Sequence, residues 1–548
     1  MDTVIGIDIG TQSTKALVID QHGRILTEHS HGYHVDTPRP LWAEQWPEVW
    51  WEAVLVCLRA CLAAPEVDTD QVKGICVSSL YGGSGIPVDA EIRPLHPCLI
   101  WMDRRAEAQV QWVKEHIDLS RLEAVTGNGV DSYYGFTKMM WLKAERPDIW
   151  EQTKFLLPPN SYINYRLSGE VAIDHSSAGN IGGIYDLAAR SWSQEMLDAL
   201  NIEQDKLPTR LVDSGDSVGG LLPQLAVSLG LVAGIPVIAG GVDAAMATLA
   251  AGATRPGNHV AMLGTSMCWG LINQHVDAGQ GLISMPHVLN GHRDLYTFGG
   301  ALTAGASVSW FVDTFCAEGQ TTDGASDKVF EQLEPLAREL PPGADGLLFL
   351  PYLMGERSPV WDAQASAGFI GLSLYHRRHH LYRAVLEGVS FALRHNMEAG
   401  TRQGVALDPY LIVVGGAARS DLWMQIIADV TRMPVYTYRE NVEAALGAGL
   451  LAGKACGLFE LEASESDSSR PDSSRLSSSG QGSSDHDQAE TATTQPFTTG
   501  QHGTLVQRAL PSDDAAHRYD ELFALYCQLY PALKPIMHRL NAHTTPSE

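Results

Sequence analysis

Apolar residues recur at strand spacing from the start of the chain. VIGIDIG, TQSTKALVID and QHGRILTEHS read as three successive strands, with Gly10 and the Asp20-to-Gly23 stretch supplying the turns. This opening predicts a β-meander, not a βαβ unit. A helix rich in Trp and Ala follows from Pro47 to Leu62, where Pro47 suits a first helical turn and Glu48 complements the helix dipole. VKGICVSSL then reads as a further strand, and strands followed by helices indicate an α/β lobe.

A comparable cycle returns later. HVAMLGTSMCWGLI reads as strand, Gly-Thr-Ser turn and strand, preceded by an alanine-rich helix from Ala244 to Ala253. Its likeness to GIDIGTQSTKALVI suggests a duplicated fold with a cleft between the copies. Further on, PYLIVVGGAARSDLWMQIIADVTRMPVYTY combines a buried-type strand, a glycine turn, a periodic helix and another strand. From about Glu462 to about Val506 the residues are mostly Ser, Thr, Gly, Gln and Asp, too polar to offset the entropy of ordering, so a disordered insertion is expected. A closing helix carries Tyr519, Leu522, Phe523, Tyr526 and Leu529 as an apolar stripe expected to pack on the second lobe.

At 548 residues the chain exceeds one ordinary core, and two lobes are expected, 1–248 and 249–548. The formal charge of −26 and the lack of any Lys/Arg-rich run argue against nucleic acid as a partner. The most apolar stretch, Ile235 to Gly252, is broken by Asp243 and several glycines, so no membrane segment is expected. The first residues enter a strand without leader-like character, which points to a cytoplasmic protein. Eight cysteines without C-x-x-C pairs read as reduced, mostly buried thiols.

Several short motifs can carry chemistry. Asp8 ends an apolar strand and is followed by Gly10, Thr11, Ser13 and Thr14, a pattern suited to Mg²⁺ and phosphate oxygens or equally to an ordinary hairpin. Gly264, Thr265 and Ser266 repeat the pattern, and phosphoryl transfer needs donors from several such loops. Asp243 follows a strand and a Gly-Gly turn at the start of a helix, where it could be an N-cap, a general base, or both. Gly415 and Gly416 sit where a strand gives way to a helix, allowing close approach of a ligand or close helix packing. Neither G-x-G-x-x-G nor G-x-x-x-x-G-K-[ST] is present, which removes the main support for a dinucleotide dehydrogenase or a P-loop kinase.

Taken together, GIDIGTQSTK, WAEQWPEVWW, IWMDRRA, SYINYRLSGE, GGVDAAMATLAAGA, GTS, LPYLMGERSP, RAVLEGVSFALR, GGAARSDLWMQIIADV and EAALGAGLLAG resemble, in order and nearly end to end, the FGGY carbohydrate kinases. The resemblance implies an α/β fold of two actin-like (RNase H-like) ATPase domains with the active site in the cleft between them. It implies ATP and Mg²⁺ as cofactors and a small sugar or polyol as substrate; related kinases often form homodimers. Carried over by residue, Asp8 would help hold Mg²⁺, and Gly10, Thr11 and Lys15 would belong to the first phosphate loop. Gly264, Thr265 and Ser266 would form the second, Gly415, Gly416 and Ala417 would line the nucleotide, and Asp243 would be the catalytic base. Trp101, Asp103 and Arg105 sit where the sugar-pocket motif of the family lies, although an Asp-Arg pair can also be purely structural, while Glu356 and Arg357 are expected to brace the lobe rather than touch substrate. Where xylulokinases typically show Gln-Met-His-Gly, with a His in the sugar pocket, this chain has Leu80, Tyr81, Gly82 and Gly83, and Tyr81 is a candidate substrate contact. A pentulose such as xylulose or ribulose is the leading expectation, followed by gluconate, glycerol or erythritol. A noncatalytic, nucleotide-gated binding protein on the same fold is the alternative.

Overall fold

The computed structural model describes residues 1–81, 83–275, 279, 281–316, 325–402, 404–440, 442–461, 495–496 and 504–543, with backbone alone over 325–331 and 495–496. The opening three strands form as read: β1 (Thr3–Ile9), β2 (Ser13–Asp20) and β3 (Ile25–Gly32) pair antiparallel in succession. Helix α1 (Pro47–Leu62) follows, with Pro at its first position and Glu48 in its first turn. It turns Trp50, Val54, Cys57 and Leu58 onto the sheet. β4 (Val72–Ser79) and β5 (Pro236–Val242) then extend the sheet parallel to β1. The resulting order is β5-β4-β1-β2-β3, with Ser217–Gly220 added at the β5 edge.

After helix α2 (Asp243–Ala250), the second sheet repeats this plan. β6 (His259–Leu263), β7 (Met267–Asn273) and β8 (Leu295–Gly299) form an antiparallel meander. Helix α3 (Arg378–Thr401) leads to β9 (Leu411–Val414), then α4 (Asp421–Thr431) and β10 (Val435–Tyr438), and both strands run parallel to β6. The order β10-β9-β6-β7-β8 matches that of the first sheet, with Ile283–Pro286, which lies between β7 and β8 in the chain, added at the β8 edge, so the duplication suggested by the two Gly-Thr turns is present at the level of topology. The two-lobed α/β architecture is the actin-like one.

The helix α5 (Ala444–Ala455) crosses back from the second half of the chain to the first sheet. Its small residues permit this. A Cβ on Gly6 of β1 would strike the carbonyl of Ala445, and one on Gly447 would strike the carbonyl of Met246 in α2. Helices α2 and α5 thus fill the space between the sheets, in a shared core with Leu17, Ile19, Ile238, Val260, Ile272 and Val414. Separate outer cores lie beyond each sheet, one under α1 and one under α3 and α4. At about 25 cal/mol per Å² of apolar surface removed from water, this layering is the main stabilising term.

Three expectations change. Helix α2 ends at Ala250 rather than Ala253, because the chain closes in a turn onto Gly252 at φ +78°. The insertion expected to run to Val506 ends sooner: β11 (Thr504–Ala509) pairs antiparallel with β10, burying Leu505 and Ala509. Within that insertion, Gln495–Pro496 pair with β11, and the remainder, 462–494 and 497–503, lies outside the described residues. The closing helix α6 (Asp513–Asn541) is longer than its apolar stripe, and it docks on α3 through Tyr519, whose hydroxyl donates to Glu387 (2.7 Å) and accepts from Arg383 (2.9 Å). No helix among the described residues is long and apolar enough to cross a membrane. All eight cysteines are free thiols, Cys57, Cys61, Cys76 and Cys98 fully buried.

Candidate active site

β1 and β5 flank β4, and each delivers one carboxylate at its C-terminal end: Asp8 near the end of β1, Asp243 just past β5. The approach to Asp243 depends on Gly240, whose φ of +70° and contact with the Val77 carbonyl leave no room for a side chain. Ser176 then fixes the strand end, its Oγ accepting from the Val242 N–H (3.2 Å) while donating to Asp174. Asp243 is the first residue of α2, not its N-cap. Val242 holds the cap position, and among the described residues the Asp243 carboxylate accepts only the neighbouring Ala244 N–H (2.7 Å). The side chain lines the cavity. Burial, and then the charge of Asp8, pushes the Asp243 carboxyl well above the usual carboxylate range. Asp8 is raised as well, by burial against the opposing hydrogen bond from Ser78 Oγ (2.8 Å).

Asp8 and Asp243 open into a cavity of about 300 Å³. Its first-lobe wall is Thr11, Tyr81, Trp101 and Tyr133, and its second-lobe wall includes Met262, Ser266, Cys268, Phe298 and Arg357. Trp101 is oriented by a hydrogen bond from its Nε1 to Thr11 Oγ1 (3.1 Å). Tyr81 and Tyr133 lie with ring centroids 5.0 Å apart, and the Tyr81 hydroxyl accepts the Gly135 N–H, tying the two segments together. Beneath them, the fully buried Lys138 donates to the carbonyls of Ser132 and Tyr133 (2.9 Å for the latter). Burial pulls its ammonium down to about 7.

The two hydroxyl-bearing turns occupy matching places at the ends of β1 and β6. In the first, the Gly10 N–H donates to Ser13 O (2.9 Å); in the second, the Gly264 N–H donates to Ser266 O (3.0 Å). Gly264 and Thr265 are exposed and Ser266 lines the cavity. The end of β9 packs against the second turn: Gly415, at φ +98°, sits so close to Leu263 O and Gly264 N that a Cβ would clash. Gly416 has open space beside it, and Ala417 is buried beneath. Lys15 is paired with Asp8 across β1 and β2, but its ammonium is engaged by Glu443 (2.5 Å), the residue preceding α5. It does not line the cavity.

Asp103 and Arg105 are not brought to the cavity. Asp103 is fully buried and accepts from the Ala43 N–H (2.7 Å), the Arg105 N–H (3.0 Å) and Arg105 Nε (2.8 Å). Arg105, its side chain 1% exposed, also pairs with Glu44 (2.6 Å) and stacks over Trp42 with 3.7 Å to the ring centroid. Their chemistry is spent inside the fold, so this pair holds the segment that presents Trp101. Arg357 departs from expectation in the other direction. Glu356 does brace its lobe, accepting from the Leu302 (3.2 Å) and Arg357 (2.7 Å) N–H groups, but the Arg357 side chain lines the cavity. Tyr133, Cys268 and Phe298 are further wall residues with no motif to mark them; only the cluster of aromatics at SYYGF could have drawn attention to Tyr133. Gly82 lies outside the described residues.

The donors present suit a magnesium-bound nucleotide. No group of three or more His, Cys, Asp or Glu forms a metal cage among the described residues. Mg²⁺ commonly takes one or two carboxylates and completes its shell with phosphate oxygens and water, and Asp8 stands ready to serve in that way.

Comparison with known proteins agrees with this geometry. The N-terminal domain model of the FGGY family of carbohydrate kinases matches residues 3–250, and the C-terminal domain model matches 259–456. A xylulose kinase of Bacillus subtilis is 31% identical over 463 residues, covering 84% of this chain and 89% of the relative. A gluconokinase of the same organism is 31% identical over 471 residues, covering 85% and 90%. The crystal structure of a xylulose kinase from Rhodospirillum rubrum superposes with a TM-score of 0.82 at 27% identity, over 98% of this chain and all of that one. With both domain models matched across the two lobes that enclose the cavity, the chain belongs to the FGGY family of carbohydrate kinases.

Proposed function

We propose that this kinase transfers the γ-phosphoryl group of Mg²⁺-ATP to a hydroxyl of a pentulose such as xylulose or ribulose, with Asp243 as general base. The observation that carries the reading is the placement of Asp243. It shares one small cavity with Asp8, Thr11 and Ser266 on the phosphate side and with Tyr81, Trp101 and Tyr133 on the other. Relatives named xylulose kinase support the substrate class.

In this mechanism the Asp243 carboxylate accepts the hydroxyl proton as the sugar oxygen bonds to phosphorus and the bond to the β-phosphate oxygen breaks. The raised proton affinity of Asp243 matches that role, since a base near neutral pKa takes a hydroxyl proton more readily than an ordinary carboxylate. Thr11, Ser266 and the amides of Gly264 and Thr265 would donate to the phosphates, with Gly415 and Gly416 leaving room for the nucleotide. When bound, Mg²⁺ neutralises charge on the β- and γ-oxygens, and Asp8 would be its protein ligand. Trp101 and Tyr133 offer apolar faces to the carbon skeleton of the sugar.

One observation favours a second reading, a sugar acid: the cavity holds the guanidinium of Arg357, which suits a carboxylate, and a gluconokinase is among the relatives. ADP release measured with Mg²⁺-ATP across ketoses, sugar acids and polyols decides between them. Highest kcat/KM on a pentulose supports the first reading; highest on an aldonic acid supports the second.

A further inference from the structure

Arg357 is 8% exposed, and its surroundings differ from those of the other buried arginines. Arg105 has Asp103 and Glu44, and Arg383 has Glu387. The Arg357 guanidinium makes a single long hydrogen bond, from Nε to the Gly300 carbonyl at 3.5 Å, and forms no ion pair among the described residues. Its Nη donors are not sealed inside the protein but open onto the cavity, where a ligand can meet them. The loop is built to keep the side chain there. Glu356 pins the backbone on both sides, and Gly300 makes room, since a Cβ at that position would meet Nη2 at 2.6 Å.

The side chain points into the cavity from the second lobe, opposite the first-lobe wall. It is close enough to Tyr133 and Asp243 for its charge to bear on both. That charge also bears on Cys268, whereas Asp8 feels Lys15 and Glu443 instead, which sets Arg357 beside the proposed acceptor rather than the proposed Mg²⁺ ligand.

We propose that Arg357 is a substrate-contacting residue supplied by the second lobe: its guanidinium donates to oxygen atoms of the sugar held by Tyr81, Trp101, Tyr133 and Asp243. The sugar is then met by side chains of both lobes. This rests on the reading of the cavity as the sugar site. A planar fork of N–H donors fits either adjacent hydroxyls or a carboxylate.

The test compares the wild type with Arg357→Met and Arg357→Lys, using the best sugar from the panel. Losing one charge-assisted contact should raise the KM for sugar by about 10–100-fold in Arg357→Met. The KM for ATP should stay within about twofold, because the nucleotide loops are untouched. Arg357→Lys should recover part of the loss, and should answer the question alone if the Met variant does not fold. Unchanged sugar KM with a fall in kcat would move Arg357 to the transferring phosphoryl group and overturn the proposal. Equal losses for ATP and sugar with a lowered Tm would make it structural. A wild type that binds ATP but is inactive on every sugar would overturn the reading of the cavity itself, an outcome distinct from failure of Arg357 alone, where the wild type turns over and only the variants report.

Discussion

Asp243, the first residue of α2, shares one cavity with Asp8 although the strands that lead to them do not pair; β4 lies between β1 and β5. Replacing Asp243 by Asn keeps the shape and the acceptor for the Ala244 N–H but removes the base. Sugar phosphorylation should fall by about 10²–10⁴-fold while ATP affinity is retained, as read by ADP release and by ATP titration. Near-normal turnover would remove Asp243 from its role.

The same pairing sets a pH dependence with a definite sign. Burial and then the Asp8 charge raise the folded carboxyl of Asp243 to about 7, against about 3.8 when unfolded. The folded state therefore holds more protons between those values, and its stability declines as pH rises from about 4 to about 7. Asp8, raised to about 6, and Glu356, raised to about 8, act in the same direction, so Asp243→Asn should remove only part of the decline: in thermal unfolding of the unliganded protein its Tm should gain on that of the wild type as pH rises from about 4 to about 7, and it should melt higher at pH 8. Turnover should move the opposite way, increasing with pH as the base loses its proton. A Tm difference between the proteins that does not change with pH would contradict the assignment.

The Asp103–Arg105 pair gives a prediction of a different kind. Asp103→Ala leaves a buried guanidinium with only Glu44 as counter-ion, a loss of about 3–5 kcal/mol. The variant should melt well below the wild type, and any rise in its sugar KM should accompany that loss of stability, because the pair acts on the sugar only by holding the segment that presents Trp101. A large KM effect in a normally stable protein would restore the pair to the sugar site.

Gly447 tests the contact between α5 and α2. Gly447→Ala sets a methyl group against the Met246 carbonyl, and overpacking of this kind costs about 1–3 kcal/mol. Because α2 begins at Asp243, kcat should fall together with Tm. A fall in Tm alone would show that the strain is absorbed elsewhere.

Local chemistry was well marked in the sequence. Pro47 and Glu48 announced α1, and the strand-turn-strand cycles around Gly10 and Gly264 announced both meanders and their duplication. Asp8, Thr11, Asp243 and Ser266 converge on one cavity because each lies near the C-terminal end of a strand or in the segment just after it, whereas Trp101 reaches it from a turn outside both main sheets, tied to Thr11 by its hydrogen bond. What was not legible depends on where side chains go over long separations. Asp103 and Arg105 have the right groups for a sugar, but only the fold reveals that Ala43, Glu44 and Trp42 use them first. Arg357 looked like a brace because its neighbour Glu356 is one. The strand at Thr504–Ala509 adjoins a polar stretch and is specified by the free edge of β10, not by a strong pattern of its own.

The seating of α5 on the first sheet also sets an order of assembly. A ribosome delivers β1 at residue 3 and does not complete its cover until residue 455. At ordinary rates of translation this interval is on the order of tens of seconds. Until then the face of β1 around Gly6 awaits Ala445 and Gly449, so the first lobe emerges first but is finished by a helix made near the end of synthesis.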